Sequence, residues 1–318
     1  MGEEGLILFS LLGMPVTAYA VCLVISLTIG LAALHRSCAR RRLAGDTAGM
    51  IAVLALPLGL LGARLFYCVA RWSLYEEIGF LQMLRLWDGG YALWGAMAGG
   101  ALAGVLTAKR THQPTSRVLD AMAAPAALVI CFSRFSEYFS GQGNGLTVEH
   151  EALCFFPVAV FNTDYEEWHY AVFMLEAVVA LVIFAALLRK HDRPQGDTAR
   201  LFVLLYSVCQ VLCESLRRDE FLRWLFVRVS QLTAAIVLGF LIFFAILRWK
   251  QRPVAQRHLT SRKIALLCFV FLACIGVCIW MEFAVDKSPD LPVWACYSIM
   301  AVSCAGMGAA AYQIVLKN

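Results

Sequence analysis

The chain reads as an all-α polytopic membrane protein, and three observations carry that reading. Of its 318 residues, 61% are hydrophobic and only 15% charged, whereas soluble domains run at about 45–50% apolar and about 25% charged. The apolar residues gather in nine runs, and a helix needs about 20 mostly apolar residues to cross a bilayer. Nine spans take up roughly 180 residues and leave about 140 for connections, too few for a separate soluble domain of ordinary size. The same composition excludes a disordered chain, a collagen-like fibre and a small disulfide scaffold.

In order, the runs are 16–34, 48–63, 91–108, 121–133, 171–188, 201–213, 229–247, 264–281 and 291–316. Several are short, and their ends are expected to extend into polar flanks. Pro57 and Pro125 kink or thin their spans, which membrane helices tolerate. Gly95-x-x-x-Gly99 and Gly100-x-x-x-Gly104 let a neighbouring helix approach closely. Most of the twelve Cys lie inside the runs, where a free Cys behaves as a small hydrophobe. No C-x-x-C pair occurs, so neither a metal site nor a disulfide framework is expected. Residues 1–10 are acidic rather than basic, unlike a cleaved signal peptide. No P-loop, Rossmann or kinase pattern appears, and no cofactor or nucleic-acid partner is expected. The lack of an internal repeat weighs against an inverted-repeat transporter.

Charge orients the spans. Segments 36–42, 109–117, 189–200 and 248–263, with Lys317, hold 18 of the 27 Lys and Arg. They follow alternate spans and so share one side, which the positive-inside rule makes the cytoplasm. The N-terminus is then external and the C-terminus cytoplasmic.

The external segments are about 64–90, 134–170, 214–228 and 282–290, the longer ones able to hold small caps with Pro, Gly and acidic residues at their turns. Arg64, Arg134 and Arg217 stand at external ends of spans, with Arg71, Arg85, Arg218, Arg223 and Arg228 near them. Charge near a bilayer is costly unless it is paired or faces a wet cavity. Guanidinium forks suit phosphate and carboxylate. Either these arginines line a pocket for an anionic headgroup, or they snorkel and pair with Glu137, Glu176, Glu214 or Asp88. Glu214 precedes Arg217 by three residues, a spacing that puts both on one helix face. It reads as a local ion pair closing a helix or as a buried general base. Only His150 and His169 are external, and neither sits in a readable motif.

Several stretches resemble one known family. They are Gly62-Ala63-Arg64-Leu65-Phe66-Tyr67, Leu86-Trp87-Asp88-Gly89-Gly90-Tyr91 and Gly95-Ala96-Met97-Ala98-Gly99-Gly100. Asp120 with Ala123-Ala124-Pro125 follows, then Ser133-Arg134-Phe135-Ser136-Glu137-Tyr138-Phe139-Ser140-Gly141-Gln142 with Gly145. Tyr19, Pro157-Val158-Ala159-Val160, Glu176, Tyr206, Glu214, Arg217 and Ser230-Gln231 extend the likeness over about residues 13–247. This order is similar to the prolipoprotein diacylglyceryl transferases, bacterial plasma-membrane enzymes that move diacylglyceryl from phosphatidylglycerol to a lipobox cysteine thiol.

The resemblance implies a seven-helix transferase-like core over residues 1–250, with an external cap at about 135–170. Residues 251–318 then form a cytoplasmic basic linker and two extra transmembrane helices. It implies phosphatidylglycerol or another anionic phospholipid, and lipobox-containing prolipoproteins, as partners. It implies catalytic roles for Arg134, Glu214 and Glu137, and lipid contacts for Tyr19, Arg64, Gly89, Gly90, Gln142, Glu176 and Arg217. The chain departs from the family pattern at Trp94, where a His stands, and at Glu137, Ser140 and Gln142, which replace Asn, Asn and Glu. Gln210 replaces the first Arg of a sixth-span R-x-x-x-E-x-x-R pattern. Trp94 takes no proton at neutral pH, so a base must come from elsewhere. A catalytically impaired relative that binds anionic lipid or a lipoprotein partner, and a transporter, remain alternatives at this point.

Overall fold

A computed structural model describes residues 6–11, 14–163, 166–189, 193–219, 222–224, 227–253, 257–287 and 291–317. Residues 1–5 of the acidic start, and Lys190 and His191 of a basic segment, lie outside them. A hairpin, β1 (Ile7–Leu11) with β2 (Met14–Thr17), leads into α1 (Ala18–Arg40). Thr17 caps that helix, its hydroxyl accepting from the Ala20 N–H at 3.3 Å, which satisfies one of the first-turn donors. The helices that follow are α2 (Thr47–Ala70), α3 (Trp72–Ile78), α4 (Leu93–Arg110), α5 (Thr115–Arg134) and the single turn α6 (Glu137–Ser140). Then come β3 (Asn144–Thr147), β4 (Ala159–Asn162) and β5 (Glu167–Ala171), an antiparallel sheet in the order β3-β5-β4. The chain continues through α7 (Val172–Leu188) and α8 (Asp197–Leu216). A short ribbon, β6 (Arg223–Trp224) with β7 (Val227–Arg228), precedes α9 (Val229–Gln251), α10 (Ser261–Lys287) and α11 (Val293–Leu316).

Seven described helices are long and apolar enough to cross a membrane. With α4 (18 residues) and α7 (17 residues) they stand on the nine predicted runs. The ends extend into polar flanks as expected, with one consequence for the site. Helix α2 does not stop at Ala63 but continues to Ala70, because Leu65, Phe66, Cys68 and Val69 keep the segment apolar beyond Arg64. Arg64 therefore lies inside a helix, not at the start of a loop.

Small residues set the tightest packing. A Cβ added to Gly62 would fall 2.4 Å from the Gly95 carbonyl oxygen, and one on Gly99 would fall 2.0 Å from that of Leu58. Gly95 and Gly99 thus bring α4 onto α2, the close approach that the spacing predicts. The second pair divides: Gly104 meets Met122 and Leu119 of α5, while Gly100 faces open space.

Helix α8 is seated at its start by Asp120 of α5. The Asp120 carboxylate accepts from the N–H groups of Gly196 at 2.7 Å and Ala199 at 2.8 Å. A carboxylate there answers both the open first-turn donors and the positive end of the helix dipole. Helices α10 and α11 pack together, and α11 lies along α8 and α9. The largest apolar core runs between these elements and α5 and α7, through residues such as Ala127, Ala180, Leu204, Leu238 and Met307.

Candidate functional site

At the end of the bundle that carries the three-stranded sheet, three guanidiniums and four carboxylates form one buried network. Three features of the chain deliver them. Helix α5 ends on Arg134, and the turn α6 begins three residues later with Glu137. Strand β5 runs directly into α7, which places Glu176 five residues inside the helix. Helix α8 carries Glu214 in its last turn and releases the backbone into an extended conformation at Arg217.

Arg134 contacts Glu137 through one terminal nitrogen and Glu176 through the other, the latter at 2.6 Å. Arg217 reaches the remaining oxygens of both carboxylates, at 3.3 Å to Glu137 and 3.4 Å to Glu176. Glu137 and Glu176 thereby bridge two arginines that come from different helices. Arg217 also binds Asp219 through Nε and Nη2, at 3.1 and 2.8 Å. Asp219 accepts in addition from the Gly143 N–H at 2.9 Å and from Arg228 at 2.9 Å. Arg228 then donates to the carbonyls of Arg217 at 2.6 Å and Asp219 at 2.8 Å, and its other terminal nitrogen lies 4.0 Å from Glu214. Glu214 accepts from Gln210 at 2.7 Å.

All of these side chains are nearly or fully shielded from solvent, Glu176 with 3% and Arg217 with 6% of its side chain exposed. Ion pairs in such surroundings are screened little, and removing one partner strands a buried charge. Outside the spans, Asp219 shows the balance directly. Burial pushes its carboxyl pKa up, but the Arg217 charge and hydrogen bonds, the Gly143 N–H and Arg228 outweigh burial and hold it below the ordinary value. Gly143 has positive φ (77°), and a Cβ there would fall 2.4 Å from Glu137. Only a glycine lets this turn close over the pair.

The structure separates the sequence-predicted residues. Arg134, Glu137, Glu176, Glu214 and Arg217 meet in the network. Tyr19, at the start of α1, borders it: its hydroxyl faces Ser136 and lies within electrostatic reach of Glu137 and Arg134. Tyr206 lies beneath it, facing Arg134 and packed on Trp94 with ring centroids 5.6 Å apart. Trp94, only 7% exposed, is core filling next to the site.

Arg64 does something different from what its sequence position suggests. Its guanidinium donates to four backbone carbonyls: Gln82 at 3.0 Å, Met83 at 3.1 Å, Gly89 at short range and Gly90 at 3.4 Å. Gly89 and Gly90 both have positive φ (74° and 72°). A Cβ on Gly90 would fall 2.6 Å from the Tyr67 ring and 2.9 Å from Arg64. These three residues form a clamp on loop 79–92. Among the described residues, no hydrogen bond or ion pair joins Arg64 to the network. Gln142 is exposed in the turn after α6, and among the described residues no hydrogen bond or ion pair joins it to the network.

Two corrections follow. The three-residue spacing of Glu214 and Arg217 predicts a mutual ion pair, but Arg217 has left the helix and turns to Glu137, Glu176 and Asp219 instead. Asp219 is a member that sequence reasoning missed; it sits two residues past Arg217 in an irregular segment where no periodicity marks it. Arg228 stood out only as a nearby charge. Among the described residues no group of three His, Cys, Asp or Glu side chains is placed to hold a metal ion.

Fold and site together define a multi-pass membrane protein with paired, buried guanidiniums at one end of its bundle. Guanidinium pairs of this kind match the oxygens of a carboxylate or a phosphate. The family model for prolipoprotein diacylglyceryl transferases matches residues 6–249. Relatives include the phosphatidylglycerol–prolipoprotein diacylglyceryl transferase of Streptococcus uberis, 24% identical over 242 residues, which are 74% of this chain and 92% of the relative. A Streptomyces coelicolor enzyme of the same name is 27% identical over 245 residues, 75% of this chain and 71% of the relative. The Frankia alni enzyme is 30% identical over 247 residues, 76% of this chain and 64% of the relative. The chain belongs to the prolipoprotein diacylglyceryl transferase family, and it is a multi-pass protein of the bacterial plasma membrane.

Proposed function

We propose that this protein transfers the diacylglyceryl group of phosphatidylglycerol to the cysteine thiol of prolipoproteins, a step of lipoprotein biosynthesis. The observation that carries the reading is the pair Arg134 and Arg217, bridged by Glu137 and Glu176 and buried at one end of the bundle. In the reaction a C–S bond forms as the C–O bond to the phosphate breaks. Glycerol phosphate leaves with the electron pair, and the thiol gives up its proton. Arg134 and Arg217 hold the phosphate and stabilise the charge that stays on the leaving group. The Arg134 Nε is buried and makes no hydrogen bond among the described residues, so it is a spare donor for a phosphate oxygen.

The proton goes to Glu214. Both Glu137 oxygens face guanidiniums, whereas Glu214 has one oxygen bonded by Gln210 and the other 4.0 Å from Arg228. Glu137 and Glu176 keep the two arginines in register until phosphate replaces one carboxylate as their partner, and Tyr19 borders the lipid seat. Arg64, Gly89 and Gly90 act on the lipid only by fixing loop 79–92. In this reading residues 1–250 are the catalytic core with its cap at about 135–170, and residues 251–318 are a basic linker and an added helix pair. The network end is external and the basic helix ends are cytoplasmic, which puts the N-terminus outside and the C-terminus inside.

The test uses purified protein in phosphatidylglycerol vesicles with a lipobox peptide, read by mass spectrometry. The expected product is the peptide carrying a thioether-linked diacylglyceryl group, with glycerol phosphate released in equal amount. No product from the wild type, under conditions where the Streptococcus uberis enzyme reacts, overturns the reading.

A further inference from the structure

Among the described residues, Glu214 is the one carboxylate of the network with neither Arg134 nor Arg217 as an ion-pair partner. Its partners are the neutral Gln210, one helical turn earlier on α8, and the Arg228 guanidinium at 4.0 Å. Arg228 comes from another element, the end of the β6–β7 ribbon and the N-cap of α9. That position opposes a cation, because the positive end of the helix dipole lies there. Arg228 is nevertheless only 5% exposed, turned inward from the ribbon. The resemblance pattern has its own cation at position 210, one turn before the glutamate, and this chain has Gln210 there.

We propose that Arg228 is a positioning residue of the transfer site, supplying from α9 the cation beside Glu214 that position 210 lacks and fixing Arg217 through its backbone. This rests on the transfer reaction proposed above. The geometry gives Arg228 two separable parts. One terminal nitrogen lies between Glu214 and Asp219, at 4.0 and 2.9 Å. The other bonds the Arg217 and Asp219 carbonyls at 2.6 and 2.8 Å and so sets the turn that aims the Arg217 side chain at Glu137 and Glu176. A cation at 210 reproduces the first part alone: the Gln210 side chain already meets Glu214 at 2.7 Å, but it makes no contact with those carbonyls.

Four proteins decide the matter: wild type, Arg228→Gln, Gln210→Arg, and the double variant. Turnover and thermal unfolding are measured for each in phosphatidylglycerol vesicles. Arg228→Gln is expected to lower kcat about 100-fold with a smaller change in KM for the lipid, in line with the loss of one site cation. Gln210→Arg in that background is expected to restore kcat to within about ten-fold of wild type, while the unfolding temperature recovers only in part because the carbonyl bonds stay lost. Arg228→Gln with undiminished kcat overturns the proposal. So does a folded double variant in which kcat does not recover, which would mean that a cation beside Glu214 is not what the reaction takes from Arg228. If the wild type itself makes no product, the transfer reading fails separately, and the unfolding data still judge the pairing. Recovery of the unfolding temperature by Gln210→Arg then supports a shared charge at Glu214, and no recovery overturns it.

Discussion

Arg64 and Arg134 make an instructive pair. Both are buried arginines at 5% and 8% exposure, both sit near the same end of apolar helices, and both lie in stretches that resemble the family pattern. Arg64 gives all its bonds to carbonyl oxygens of loop 79–92. Arg134 gives its terminal nitrogens to Glu137 and Glu176. The difference lies in what can be displaced. Backbone carbonyls are tied to the fold and stay where they are, whereas a carboxylate partner can be exchanged for a phosphate of matching geometry. On the function proposed above, the two buried arginines have opposite duties, one holding the protein together and the other available to a substrate.

The sharpest way to break this contrast is Arg134→Ala or Arg217→Ala. On the proposed function either removes a phosphate anchor and strands Glu137 and Glu176, and transfer is expected to fall at least about 10³-fold. Initial rates with a lipobox peptide check it, and more than a tenth of wild-type rate would place the anchor elsewhere. Arg64→Ala acts through the loop. Four carbonyls lose their donor, each worth about 1–3 kcal/mol when left buried and unmet. The unfolding temperature drops and amide exchange of residues 80–90 speeds up, while the binding of phosphatidylglycerol falls only as far as the loop loosens. A loss of lipid affinity with the loop still protected would return Arg64 to the lipid site.

Asp219 gives a weaker, pH-dependent effect. Its pKa is held below the unfolded value, so its contribution to stability is present above about pH 4, the unfolded carboxyl range, and is lost as pH falls through the folded value. Asp219→Asn is expected to lower the unfolding temperature at pH 7 and to narrow the gap to wild type below about pH 4. A gap that widens on acidification would contradict the assignment. The smallest effect belongs to Gln142, exposed and outside the network. Gln142→Ala is expected to change transfer by no more than about two-fold, within the usual range of surface substitutions.

The legible part of this protein was the part that local composition controls. Among the described residues the nine long apolar helices follow from runs of apolar side chains, since the lipid interior accepts only backbone that meets its own hydrogen bonds. That a helix comes close at Gly95 and Gly99 is legible in their spacing, though not that the helix is α2; Arg134 and Arg217 are legible as charges at the ends of apolar runs, and Glu176 as a charge five residues into one. Asp219 is not, because it lies in an irregular segment and belongs to the site only through Arg217, Gly143 and Arg228, which come from three separate parts of the chain. The sequence puts Arg64 at the end of an apolar run, and the apolar residues after it carry the helix on to Ala70.

Composition and charge are enough to put this chain in a bilayer, to say where its helices run and to mark the residue types that could meet an anionic headgroup. Tertiary structure alone decided which of those charges face one another. Helix positions follow from burial of apolar surface, which is additive along the chain. The pairing of Arg217 with Glu137 and Glu176, and of Arg228 with Glu214, depends on distances of 3 to 4 Å between groups on different elements, and no local pattern encodes them. That is why Arg64 became a clamp, why Arg217 turned from Glu214 to Glu137 and Glu176, and why Arg228 came to stand beside Glu214 at the one place where its own helix position opposes a positive charge.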